Sequence, residues 1–330
     1  MTLMNFGLLL IPDRKIMEIV HLSKQAEESG FDYVWIADED FYRDVYITLT
    51  AIALNTSKVK LGPGCTNPYT RHPAITALTM ATLNNLSNGR AVLAIGRGGL
   101  NILNPLCIDI SKPLSTLREF IDVFKRIVKG ELVDYEGEVI KLRGVKLAFK
   151  HTNKIPIYVA SMGPKTLRLA GEIADGVLLP SVPPEYVRIA LENIEEGCVR
   201  SGRELKELDI ACSVISSISS SHEKAFRLAK PYLVYCLAVM PDQVLESVGM
   251  SRRDVMPIVK ALPNEKKAVE EVTDEMVKKF AIAGDIEDCM KRIREYTDAG
   301  VTQLVFSAPL GEDMGETIKS LGMELSRRFR

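Results

Sequence analysis

Near-continuous apolar runs of four to eight residues alternate along the chain with amphipathic stretches. This is the pattern of parallel strands buried on both faces and crossed over by helices. Eight such units follow one another. Their strands are predicted at 5–11 (NFGLLLI), 33–37 (YVWIA), 59–62 (VKLG), 91–96 (AVLAIG), 157–160 (IYVA), 176–179 (GVLL), 209–215 (DIACSVI) and 303–307 (QLVFS). Helices are predicted over 14–29, 45–56, 73–87, 114–129, 164–173 and 184–201, with Gly30, Gly89 and Gly202 just past a helix end, where a left-handed terminal residue is cheapest as glycine. Eight βα units predict an α/β fold of the TIM (β/α)8 type, closed into a barrel.

Two places break the rhythm. Residues 130–150 alternate with period two around Glu136-Gly137, which predicts a hairpin inserted before the fifth strand. Residues 218–284 carry Pro231, Pro241, Pro257 and Pro263 among helical pieces and are too long for one crossover, so they are expected to form a helical insertion over the top of the barrel. The expectation is one barrel domain over 1–330 with these two insertions.

Composition excludes several function classes. Lys plus Arg number 42 and Asp plus Glu 43 among 330 residues, so no basic field holds nucleic acid or an anionic membrane. The six cysteines form no CxxC pair and the four histidines are scattered, which indicates neither a zinc site nor a disulfide framework. Reduced thiols and a cytoplasmic location are expected. The early apolar run FGLLLI at 6–11 is too short to span a bilayer and lacks a basic leader.

In barrels of this kind the reacting groups sit at the carboxyl ends of the strands. The second strand ends in ADED at 37–40, three carboxylates that form either a catalytic group or a solvated loop. The third runs into GPGCTNPYTRHP at 62–73, too punctuated for a short turn and suited to shaping a surface. The fourth ends in GRGGLN at 96–101, where glycines allow close backbone approach and Arg97 brings a fixed charge, although tight βα turns use the same residues. After the fifth, Gly163-Pro164 opens a helix whose first-turn amides and Lys165 suit a phosphate; ordinary capping accounts for the proline equally well.

Taken in order, these segments resemble the bacterial-luciferase-like superfamily, and within it the deazaflavin-dependent branch similar to methylenetetrahydromethanopterin reductase. The resemblance lies in FDYVWIAD at 31–38, VKLGPGCTNPYTRHPAITA at 59–77, ATLNNLSNGRAVLAIG at 81–96, KIPIYVASMGPKTLRLAGEIADGVLL at 154–179 and AGVTQLVFSAPLG at 299–311. It implies coenzyme F420 as cofactor, with FMN the alternative used by other luciferase-like proteins. It also implies a cis peptide between Gly64 and Cys65, forming a bulge behind the deazaflavin ring. Cys65 is then a small packing group under the ring and not a nucleophile. Carried across by position, Asp38 and Asn67 meet the ring system and Arg97 and Gly98 lie beside its side chain. Met162, Gly163, Lys165 and Thr166 bracket the phosphate.

Three positions depart from the pterin-reducing relatives. Leu9 replaces an acid near the end of the first strand, Gly99 replaces another after the fourth, and Glu39 stands where many relatives have His. The cofactor half of the motif set is intact, while the substrate-facing half is altered. The resemblance implies an oxidoreductase passing a hydride between the deazaflavin and a small organic substrate, with Glu39 the candidate acid. Crowding by Asp38 and Asp40 is expected to favour its protonated form. Other readings are an FMN monooxygenase, a cofactor-binding barrel without catalysis, and a barrel of unrelated chemistry. A homo-oligomer through the helices near 45–56 and 73–87 is a further implication of the resemblance.

Overall fold

The computed structural model describes residues 4–39, 41–151 and 153–330. All eight predicted strands are present: β1 Asn5–Leu10, β2 Tyr33–Ile36, β3 Lys60–Pro63, β4 Leu93–Gly96, β5 Ile157–Ala160, β6 Gly176–Pro180, β7 Asp209–Ile218 and β8 Gln303–Gly311. They pair in parallel in the order β3-β2-β1-β8-β7-β6-β5-β4. The ring closes between β3 and β4 through bridges from Leu61 to Ala91 and from Thr66 to Ile95. That closure depends on Gly62, because a Cβ there would lie 1.8 Å from the Val92 carbonyl oxygen.

The helices follow the strands as the sequence pattern predicts, among them Val45–Asn55, Pro73–Leu86, Pro113–Val128, Pro164–Ile173 and Pro184–Arg200. Their buried faces and the outer faces of the strands form the main core, while a second cluster that includes Trp35, Val92, Ala94, Tyr158, Leu178 and Val305 fills the barrel. The amino-terminal end of the barrel is plugged by polar side chains that satisfy one another. Trp35 Nε1 donates to Gln303 Oε1 at 2.9 Å, and both Gln303 Nε2 and the Tyr158 hydroxyl donate to Asp209 Oδ2, at 2.7 and 2.8 Å. A buried network with every partner in place fixes one arrangement of the strands, and leaves the opposite end of the barrel to carry chemistry.

The expected hairpin is Val133–Glu136 paired with Lys141–Val145. Glu119, on the helix Pro113–Val128, anchors its turn by accepting the amides of Glu138, Val139 and Ile140 at 2.8, 3.0 and 2.7 Å. The segment 218–284 is mostly helical, beginning with His222–Val239, but it ends in a short strand, Ala281–Gly284, that adds in parallel to the far half of β7. Three small residues around a single isoleucine give a weak strand signal in the sequence; pairing to β7 supplies what propensity lacks.

Candidate active site at the barrel mouth

The loop between β3 and the helix Pro73–Leu86 builds one wall of the mouth. The Gly64–Cys65 peptide is cis, as expected. A Cβ on Gly64 would stand 2.8 Å from Trp35 Cβ and 3.2 Å from Leu9 Cδ1, and one on Gly96 would meet Ala160 O at 2.9 Å and Cys65 Sγ at 3.3 Å. Only glycines let the loop after β3 lie this close to β1 and β2, and β4 this close to β5 and Cys65. The Cys65 thiol is pushed up to about 12, by burial first and then by the charges of Glu39 and Asp38. At neutral pH the thiol is therefore protonated.

Asp38 follows the end of β2 and accepts a 2.6 Å hydrogen bond from the Thr66 hydroxyl. Burial raises its pKa above the ordinary aspartate value, against the lowering effects of that hydrogen bond and of Arg71. Three further residues, not singled out by the sequence reading, complete the polar group. Arg71 pairs with Asp44 at 2.7 Å and lies over the Tyr46 ring, 4.4 Å from its centre, while Asp44 caps the helix Val45–Asn55 through the amides of Tyr46 and Ile47. The Tyr46 side chain is buried, and burial pushes the pKa of its hydroxyl up to about 12, against the lowering effect of a hydrogen bond with the Thr66 side chain. The signal for this group lay in the same TNPYTR stretch, but its partners come from a different loop.

Glu39 is exposed, and its charge is felt by the thiols of both Cys65 and Cys236. Cys236 belongs to the helix His222–Val239 and lies 3.7 Å from the hydroxyl of Ser181, just past β6. The Glu39 carboxylate is therefore near both the bulge and the inserted helices. Asp40, grouped with it in the sequence, lies outside the described residues.

Asn67 is buried and its Oδ1 accepts from the amides of Tyr69 and Thr70, at 3.0 and 2.9 Å, so its carbonyl shapes the loop. Gly98, at φ +87°, packs against this loop: a Cβ there would lie 2.9 Å from Asn67 Cβ. Arg97 is exposed beside Tyr69, whose phenol pKa burial raises against the lowering effects of a hydrogen bond with Thr116 and of the Arg97 charge.

Register brings the phosphate candidates to the same mouth, since Gly96 on β4 pairs with Ala160 on β5. Half-buried Met162 packs on the core, and its carbonyl accepts from the Tyr186 hydroxyl. Gly163 precedes the helix Pro164–Ile173, with no side chain capping it and Pro164 in the first position. A Cβ on Gly163 would meet only Ser161 Oγ, at 3.9 Å. Lys165 is exposed and Thr166 half-buried on the same first turn. Pro164 has no amide hydrogen, the Gly163 amide donates to Ser161 Oγ at 3.0 Å and the Thr166 amide to the Gly163 carbonyl at 3.1 Å, so the first-turn amide left to face the open space, where an anion would sit, is that of Lys165.

Leu9, beside Gly64, pairs with Ser307 across β1 and β8, and neither brings a charge. Elsewhere, folding joins His222, Asp285 and Asp288, which sequence spacing had left apart; their ligand atoms lie within 4.8 Å, and His222 Nε2 is 2.9 Å from Asp288 Oδ2. Among the described residues no helix is long and apolar enough to cross a membrane.

The family profile described as luciferase-like monooxygenase matches residues 4–303. The chain is 39% identical to 5,10-methylenetetrahydromethanopterin reductase of Archaeoglobus fulgidus, over 99% of this chain and 100% of that one. It is 40% identical to the enzyme of the same name from Methanolobus tindarius, over 98% and 99%. The solved coenzyme F420 dependent tetrahydromethanopterin reductase of Methanopyrus kandleri superposes with a TM-score of 0.93 at 35% identity, covering 99% of each chain. With the profile spanning most of its length and such relatives aligned end to end, the chain belongs to the luciferase-like monooxygenase family.

Proposed function

We infer that the protein is a coenzyme F420-dependent oxidoreductase that passes a hydride between the deazaflavin and a small organic substrate, of the type carried out by methylenetetrahydromethanopterin reductase. The observation that carries this reading to the site is the glycine-lined wall. Gly64, Gly96 and Gly98 let the backbone around Cys65 and Asn67 pack closer than any side chain would allow, and Gly163 keeps open space at the start of the helix Pro164–Ile173. A planar ring bearing a phosphate fits those two features together. FMN shares both, but relatives of comparable length and higher identity carry F420 in their names.

Coenzyme F420 supplies the hydride when bound. The chain's own residues hold donor and acceptor in register, which is the greater part of what hydride transfer needs. In this proposal Gly64, Cys65, Asp38 and Asn67 meet the ring, Arg97 and Gly98 its side chain, and Met162, Gly163, Lys165 and Thr166 the phosphate. Opening a methylene bridge also calls for a proton on the leaving nitrogen. Leu9 and Gly99 bring no acid, so Glu39 is proposed as the donor, with its charge near the bulge in support.

The chain is read as one barrel domain with two insertions. Exposed Ile47 and Leu54 on the helix Val45–Asn55 continue into Ile75, Leu78 and Leu86 on Pro73–Leu86, an apolar face that supports a homo-oligomer through these helices. Six unpaired cysteines support a cytoplasmic setting. The test is an absorbance titration with coenzyme F420 and with FMN, followed by turnover on methylenetetrahydromethanopterin. Tight F420 binding with turnover is expected; binding of FMN alone overturns the cofactor reading, and F420 binding without turnover on the pterin moves the substrate elsewhere.

A further inference from the structure

Among the described residues, one group of metal-ligating side chains has no part in the proposed reaction: His222, Asp285 and Asp288, whose ligand atoms all fall within 4.8 Å of one another. His222 opens the helix His222–Val239, Asp285 caps the helix Ile286–Asp298, and Asp288 stands on that helix's first turn. The two helix starts meet because β7 and the short strand Ala281–Gly284 pair to their ends. Ile218 lies against Gly284, and the Ser219 amide donates to the Gly284 carbonyl at 3.0 Å. Gly284, at φ +141°, lets the side chains close over it, since a Cβ there would lie 3.3 Å from Asp288 Oδ2 and 3.4 Å from His222 Cε1. His222 and Asp285 are 63 residues apart, so no ligand spacing shows in the sequence.

A tetrahedral ion with bonds of about 2.1 Å holds its ligand atoms about 3.4 Å apart. His222 Nε2 and Asp288 Oδ2 already stand 2.9 Å apart, so only the third ligand has to draw in from within 4.8 Å. The imidazole nitrogen selects a first-row transition ion over magnesium or calcium, which take oxygen ligands. Two carboxylates match the two charges of such an ion. The Asp288 amide donates to Asp285 Oδ1 at 2.9 Å and holds that carboxyl below the ordinary aspartate value, against burial, so it is ionised and keeps lone pairs for an ion. Helix starts repel cations, but here Asp285 caps one of them and the Ser221 hydroxyl, accepting the Lys224 amide, caps the other. Lys291 lies 3.3 Å from Asp288 Oδ1, yet its side chain is 69% exposed and turns to solvent at little cost. The placement also has a use. His222 and Asp285 stand at the two ends of the insertion 218–284, and a metal clip stabilises most where it closes a long stretch of chain.

We propose that His222, Asp285 and Asp288 hold a divalent transition-metal ion of the zinc type, with water in the fourth position, as a clasp across the ends of the insertion. The test strips the full chain of metal with a chelator, removes the chelator, and titrates with Zn²⁺ by calorimetry and by thermal melting. One equivalent is expected to bind and to raise the melting temperature by roughly 2 to 5 °C at saturation. His222→Ala and Asp288→Asn should each weaken binding by more than about 10-fold and remove the rise. The metal-free variants should melt close to the unmodified chain, because an exposed His–Asp pair contributes little. No saturable binding by the unmodified chain overturns the site and leaves an ordinary ion pair with two helix caps. Binding that survives His222→Ala puts the ion on another histidine and overturns it equally. Where a variant does not fold, diethylpyrocarbonate labelling of the unmodified chain decides, read by peptide mass spectrometry with and without Zn²⁺. Protection of His222 by the ion supports the clasp, and labelling of His222 at the same rate in both samples overturns it.

Discussion

Thr66 donates its hydroxyl hydrogen to Asp38 Oδ2 at 2.6 Å, a contact that ties the end of β2 to the loop after β3. Burial outweighs this bond and raises the Asp38 pKa in the fold. The neutral form is thus favoured on folding, and its contribution to stability is complete below the unfolded value and lost as pH rises through the raised native one. Asp38→Asn keeps an acceptor for Thr66 but removes the charge. Its melting temperature should exceed that of the unmodified chain at pH 7, by a margin that shrinks as pH falls toward 4. A difference that stays constant across that window would show that ionisation of Asp38 is not a cost to the fold.

Alkylation should separate the cysteines. With its thiol pushed up to about 12, Cys65 is almost entirely protonated at pH 8, whereas Cys107 is exposed. Iodoacetamide at pH 8 should label Cys107 in the native protein and reach Cys65 only after denaturation, as read by peptide mass spectrometry. Early labelling of Cys65 would mean a thiolate there and would revive it as a nucleophile.

Two glycines at the mouth should respond in opposite ways. Gly163 has φ −84° and ψ 136°, which a β-branched residue adopts readily, and its missing side chain faces open space. Gly163→Val should leave the melting temperature within the effect of about half a kcal/mol, yet weaken F420 binding by roughly 1 to 3 kcal/mol through lost contacts to the phosphate. Gly96→Ala drives a methyl into Ala160 O and Cys65 Sγ. It should cost about 1 to 3 kcal/mol of stability as an overpacked site. Melting and titration run on both variants check the pair, and matching losses of stability would remove the distinction.

What the sequence disclosed follows from where its signals are local. All eight barrel strands announce themselves because burial on both faces demands unbroken apolar runs. β7 and β8 nevertheless extend to Ile218 and Gly311, past the predicted 215 and 307, because Ser216, Ser217 and Pro309 carry no such signal and pairing holds them. At the mouth, Asp38, Gly64 and Gly163 were legible through the ordered motifs they sit in. Tyr46 and Arg71 were legible only as ordinary helix and loop residues until the fold stacked one on the other. Cys236 lies 171 residues from Cys65 in the chain, yet the same Glu39 charge acts on both thiols, a relation only tertiary packing creates.

Glu39 carries the sharpest prediction. Its carboxylate is near the Gly64–Cys65 bulge and the inserted helix, while Leu9 and Gly99 contribute no acid. If Glu39 delivers the proton to a leaving nitrogen, Glu39→Gln should keep the fold and F420 affinity, since the amide is nearly isosteric, and lower kcat by roughly 10² to 10⁴. Proton delivery also gives the rate a pH dependence, falling as the acid ionises, and the Gln variant should lose that limb of the profile. If Glu39 is instead a solvated carboxylate, the substitution should shift neither kcat nor the profile beyond what a surface charge does, about half a kcal/mol. Stopped-flow reduction of the methylene substrate across pH 5 to 9, with cofactor saturation checked for each variant, separates the two. An unchanged profile would leave the proton to come from solvent, and Arg97 would become the charged group to examine next at the reacting centre.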